Sequence, residues 1–131
     1  MLNFIFRKYL IVNQRRFNQI ENFNDGSIKF SHNGLNYLFI SNNPDDPLHF
    51  SIVLPDIDSN HSVELEYINK INSKMKLAKV VKLASGQVWI ITDFFAYNYT
   101  DHKQLFAVFD RIISILEYTI QLYNNQNEFN Y

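Results

Sequence analysis

The sequence predicts an α+β fold: a two-layer α/β sandwich in the order α-β-β-β-α-β-β-α, with a five-stranded antiparallel sheet covered by helices on one face. Three stretches carry this expectation. Asn33-Gly34 lies between two alternating segments and favours the positive φ angles of a type I′ hairpin. EYINKINSKMKLAKVV, residues 66–81, opens with helical spacing and closes in β-branched alternation, with no Gly or Pro between. A long amphipathic run then follows Asp101.

Taken in order, Leu2, Ile5, Phe6, Tyr9 and Val12 recur at helical spacing and predict a first helix over 2–13. Residues 14–26 read as irregular and end in the turn signal Asn24-Asp25-Gly26. SIKFSHNG alternates Ile28 and Phe30 with polar neighbours, a half-buried strand that LNYLFIS, residues 35–41, should meet antiparallel. NNPDDP is a loop, and LHFSIVLP, residues 48–55, is the third strand, stopped by Pro55.

Ser62 as N-cap, with Glu64 and Glu66 in the first turns and Leu65, Ile68, Ile71 and Met75 on one stripe, predicts a second helix over 62–75. Strand four follows at 78–84, and Ser85-Gly86 turns it into QVWIITDFFAY, strand five. The join is so short that the helix should lie against the sheet its own strand enters. Asp101 with Gln104 suits a capping box, and Leu105, Phe109, Ile112, Leu116, Ile120 and Tyr123 continue a final helix over 102–124. The polar tail, 124–131, is expected to fray.

The whole chain, 1–131, reads as one domain. Apolar residues make up 47% and aromatics 16%, which excludes intrinsic disorder and calls for a ring-rich core. Twelve Lys plus Arg against thirteen Asp plus Glu give a net charge of −1, so no global field steers nucleic acid or anionic lipid. Cysteine is absent, which removes disulfides, thiolate nucleophiles and thiolate metal ligands. MLNFIFRKYLIV carries Arg7 and Lys8 at its centre, unlike a signal peptide, and at about twelve residues reads as a weak membrane anchor. A soluble cytoplasmic protein with no membrane partner is expected.

No catalytic, cofactor or metal constellation is expected. His32, His49, His61 and His102 lie in separate segments without ligand spacing. Asp45-Asp46 and Asp56-x-Asp58 pair carboxylates beside prolines in turn-like sequence rather than in a calcium loop. There is no glycine-rich phosphate loop and no nucleophile elbow.

Two patterns point to binding. Residues 44–66 hold six acids and no Lys or Arg, whereas 67–92 hold Lys70, Lys74, Lys76, Lys79 and Lys82 and no acid. That lysine strip either contacts an acidic segment or a nucleic-acid backbone, or simply solvates a helix and a sheet edge; the second reading is preferred, so nucleic acid is not the expected partner. On the final helix, Val108, Ile115 and Leu122 repeat every seven residues beside the main stripe and widen its apolar arc. Either the first helix or a second subunit in a homodimer should cover this flank.

The IKF strand, NGLNYLFIS, the DDP loop before FSIVLP, the INKIN helix entering KLAKVV, GQVWIITDFF and the long last helix together resemble the YbjN-like and type III secretion chaperone-like superfamily over about residues 20–124. The resemblance implies sheet order 1-2-3-5-4, a helix that passes within a few residues into strand four, and non-enzymatic binding of a protein client in a chaperone-like adaptor. It also suggests a homodimer. A small-ligand or nucleic-acid binding module using Lys70–Lys82 is the alternative.

Overall fold

The computed structural model describes residues 2–58, 60, 63–96 and 101–125. Its elements are α1 (Leu2–Val12), β1 (Asn18–Asn22), β2 (Ile28–His32), β3 (Leu35–Ile40), β4 (His49–Leu54), α2 (Leu65–Lys74), β5 (Lys79–Lys82), β6 (Val88–Ile91), β7 (Phe94–Phe95) and α3 (His102–Asn124). The expected α+β class is found, with an antiparallel sheet and three helices.

The expected five strands are seven. The sheet runs β1-β2-β3-β4-β6-β5, and β7 pairs with β4 off this path. The expected order 1-2-3-5-4 corresponds to β2-β3-β4-β6-β5, to which β1 is added at one edge and β7 beside β4. Two physical causes account for the difference. β1, NQIEN, is exposed at every position, so it carries no alternation for a sequence reading to find; it is held by its ladder to β2 across a register shift at Asn18/Glu21. The expected fifth strand is split because the Thr92 hydroxyl takes over the backbone of Ile52, donating to its carbonyl at 2.7 Å and accepting its N–H at 3.3 Å. Registers Val53↔Ile91 and Phe50↔Phe94 stay in phase across the gap, so β7 continues the line of β6.

At the β2–β3 hairpin Asn33 and Gly34 both have positive φ, 52° and 77°, as a type I′ turn requires. The α2–β5 join is just as short as its sequence demands, and α2 lies against β5. The amide of Asn72 clasps the free edge of β5, donating from Nδ2 to the Val80 carbonyl at 2.9 Å and accepting the Val80 N–H on Oδ1 at 2.8 Å. One side chain thus stands where a further strand would pair. The proposed Ser62 cap lies outside the described residues; Glu64 occupies the cap position without a side-chain bond. At α3 the Asp101 carboxylate accepts the Lys103 N–H at 2.9 Å.

The core is a cluster of rings between the helices and one sheet face. Phe109 of α3 meets Phe6 edge-on at 4.8 Å and Phe50 at 5.5 Å, while Phe6 of α1 stacks on Phe39 of β3 at 4.2 Å. Such pairs add about 0.5–1.5 kcal/mol each beyond area burial. α1 buries Leu2, Phe6, Tyr9 and Leu10; Val12, expected inside, is exposed.

Polar groups at the helix margins are matched. Asp110 accepts a bond from the Tyr9 hydroxyl and pairs with Arg16 at 2.8 Å; Tyr123 donates to Asp58 at 2.6 Å; Tyr37 lies 3.5 Å from Glu117. Burial first, and the facing carboxylates second, push the phenol pKa of Tyr9 and Tyr123 upward, and burial with Glu117 does the same for Tyr37.

Candidate functional site

Strand alternation sorts side chains to two faces. Ile28, Phe30, Tyr37, Phe39, Phe50, Ile52, Leu54, Val80, Val88 and Ile90 point to the helices and are buried. The opposite face receives Lys29, Asn36, Leu38, Ile40, His49, Ser51, Val53, Lys79, Val81, Trp89 and Ile91. Here the registers line up one row across six strands: Glu21, Lys29, Leu38, Val53, Ile91 and Lys79. Its middle is apolar. Val53 is only 3% exposed although it points away from the helices, because Leu38 and Ile91 flank it. Ile40, Val81 and Trp89 lie half-buried on either side of the row.

The band opens at one end into a hollow of about 430 Å³ lined by Phe23, Asp25, Ser27, Lys29, Asn36, Tyr37, Leu38 and Pro55. Asp25 is committed there: one carboxylate oxygen accepts both the backbone N–H and the hydroxyl of Ser27, which holds its carboxyl below the usual range. The Lys29 side chain forms no hydrogen bond or ion pair among the described residues. A crevice of about 200 Å³ continues from Asn36 and Pro55 past the β2–β3 turn to Ile120 and Asn124 of α3.

At the other end of the face, Asp93 stands opposite Ser51 and takes two donors on one oxygen, the Ser51 hydroxyl at 2.6 Å and His49 Nε2 at 2.9 Å. These are the residue types of a hydrolase triad in a different arrangement. A triad needs serine bonded to histidine as base; here the Ser51 hydroxyl donates a hydrogen bond to the Asp93 carboxylate, which His49 also meets. Among the described residues no group of His, Asp or Glu is arranged to hold a metal ion. His61 lies outside the described residues. Asp46 and Asp58 each accept a backbone N–H two residues on, as turn residues do.

The five lysines of the strip are all exposed. Lys70 and Lys74 ride on α2 and Lys76 on the join. Lys79 donates to the carbonyls of Met75 at 2.7 Å and Asn72 at 3.2 Å, closing the C-terminal turn of α2. Lys82, which belongs to the helix side of β5, reaches the Val63 carbonyl at 3.0 Å. Lys79 and Lys82 thus serve the fold.

Of the α3 flank, Leu122 is buried and Val108 and Ile115 are half-buried against the core. The first helix is not its cover. α1 meets α3 through Phe106, Phe109 and Asp110, which at 100° per residue lie on the opposite side of the core stripe from Val108, Ile115 and Leu122. The element beside Leu122 is α2, whose Tyr67 hydroxyl lies 3.4 Å from the Leu122 carbonyl and 2.5 Å from that of Tyr123.

The apolar band could have been found from sequence: YLFI, IVL and VWII are apolar at both parities, and a strand wet on one face should alternate. Comparison of the chain with protein-family models, curated proteins and solved structures finds no match. The structure defines an α+β domain with one helix-covered sheet face and one apolar, helix-free face. Among the described residues no helix is long and apolar enough to cross a membrane.

Proposed function

We propose that the protein is a non-enzymatic, chaperone-like adaptor of the cytoplasm that takes a segment of a protein client on the helix-free face of its sheet. The observation that carries this reading is the Leu38–Val53–Ile91 row, broadened by Ile40, Val81 and Trp89 and continued by the hollow under Phe23 and Pro55. Contiguous apolar surface with a polar rim is what protein partners cover. The resemblance to YbjN-like and secretion chaperone-like domains points the same way. The serine-to-aspartate bond at Ser51 and Asp93 favours binding over hydrolysis. The alternative, a small-ligand or nucleic-acid module on Lys70–Lys82, is less well supported because Lys79 and Lys82 are bonded to backbone carbonyls.

The test is affinity capture with matched variants. A client retained by the wild type should be lost with Leu38→Ser plus Trp89→Ser and kept with Lys70→Gln plus Lys74→Gln, all three proteins melting alike. Loss with the lysine variant alone, with salt-sensitive binding, would move the function to the strip.

A further inference from the structure

α1 has two faces, and only one is used by the core. Opposite Leu2, Phe6, Tyr9 and Leu10, at 100° per residue, stand Phe4, Lys8 and Ile11, with Val12 and Arg7 at the margins. Phe4 and Val12 are each 64% exposed and Ile11 58%, so three large apolar side chains crowd one side of an eleven-residue helix. Arg15, in the turn that follows, is exposed as well.

Charge is segregated in the same place. Residues 1–20 hold Arg7, Lys8, Arg15 and Arg16 and none of the thirteen acids; the first acid is Glu21. Arg16 is spent on Asp110, and Arg7 bonds Asn22 at 3.0 Å while its guanidinium lies 5.4 Å from the Phe4 ring centroid. Lys8 and Arg15 have no hydrogen bond or ion pair among the described residues. Asp110, the acid in contact with α1, is taken up by Tyr9 and Arg16; Glu21 lies in the strand that carries Asn22, and Asp25 beside Gly26, which Asn3 of α1 approaches.

The shape of this face selects among partners that want apolar groups and cations together. An acidic peptide is gripped by a groove, whereas Phe4, Ile11 and Val12 stand out from the helix, each more than half exposed. An outward helix face with protruding Phe, Ile and Val set among cations suits a soft, planar, anionic surface into which the apolar tips can sink while Lys and Arg stay at headgroup level.

We propose that the outer face of α1 docks on anionic lipid membrane, with Phe4, Ile11 and Val12 as the inserted groups and Lys8 and Arg15 as headgroup contacts. This reverses the expectation of no membrane partner drawn from the sequence. That expectation took Val12 as core and considered only the two cations at the helix centre. The docking is peripheral and reversible, since one short helix with few cations gives modest affinity. It leaves the helix-free sheet face, on the far side of the core, open to a client.

Vesicle flotation tests it, using phosphatidylcholine alone and phosphatidylcholine with about 30 mol% phosphatidylserine, at about 50 mM and about 300 mM salt. Wild type should float with the anionic vesicles at low salt, sink with the neutral ones, and release at high salt. Lys8→Gln plus Arg15→Gln should cut partitioning about thirtyfold, at about 1 kcal/mol per cation. Phe4→Ser plus Ile11→Ser should abolish it without shifting the melting temperature, as both side chains are outside the core. No flotation with anionic vesicles at low salt, or flotation unchanged in both variants, overturns the proposal. So does binding to a polyglutamate peptide that both variants lose while vesicles are ignored, which would put an acidic protein on the helix instead.

Discussion

Asn72 is where a single substitution asks most about how this sheet is finished. Its amide holds both backbone groups of Val80 at 2.8 and 2.9 Å, on the edge of the sheet that would otherwise offer them to another chain. Asn72→Ala removes two hydrogen bonds, each worth about 0.5–1.5 kcal/mol net, and leaves a part-buried N–H and carbonyl to find water, so a loss of about 1–3 kcal/mol is expected. With a urea m-value of about 2 kcal/mol/M for a domain of this size, the midpoint should fall by about 0.5–1.5 M, with m unchanged. Asn72→Asp gives a finer reading. An ionised aspartate can still accept the Val80 N–H but turns its other oxygen on the carbonyl; a protonated one restores a donor. Its deficit relative to wild type should therefore shrink as pH falls through the carboxylate range. Urea denaturation at several pH values, with size exclusion for edge-to-edge association, measures both. An Asn72→Ala midpoint within error of wild type, or an Asn72→Asp deficit that does not respond to pH, would refute the clasp as a stabilising element.

Phe109→Ala, at the centre of the ring cluster, should cost about 3–5 kcal/mol by calorimetry or denaturant titration, since Phe6, Phe39 and Phe50 cannot all close on the space. Alkaline stability carries a defined sign: Tyr9, Tyr37 and Tyr123 have folded pKa values raised above the ordinary 10.0, so the unfolded chain loses phenolic protons first. Their contribution is complete below pH 10.0 and lost as pH rises beyond it, and Tyr→Phe at these positions should flatten that decline in melts taken across pH 9–12. Ile115→Asp, half-buried on the α3 flank, should lower the melting temperature of a protein whose mass by light scattering is unchanged. A fall from dimer to a stable monomer would instead make Val108, Ile115 and Leu122 a subunit seam.

Much of the fold was legible because its signals are local. Asn33-Gly34 dictates its own hairpin, Asp101 caps α3, and β-branched residues after Lys76 end α2 without help from Gly or Pro. What escaped was set by contacts distant in sequence. β1 has no pattern of its own because it is exposed throughout and exists through pairing with β2. The break at Thr92 is its hydroxyl bonding the backbone of Ile52, forty residues away, in place of a ladder pair. The side of α3 on which α1 sits is decided by Phe6, Tyr9 and Asp110, so α1, one of the two covers expected for the flank, lies elsewhere, and α2 stands beside Leu122. The lysine strip was visible as composition, but composition does not reveal that Lys79 and Lys82 bend back to carbonyls. The apolar row, by contrast, was written in strands that fail to alternate.

The binding face is tested most directly by methyl NMR on the folded protein as a captured client segment is titrated in. Shifts and broadening should concentrate at Leu38, Ile40, Val53 and Ile91, with Val108, Ile115 and Leu122 silent. Changes confined to the α3 methyls, with the row across β3, β4 and β6 untouched, would contradict the account.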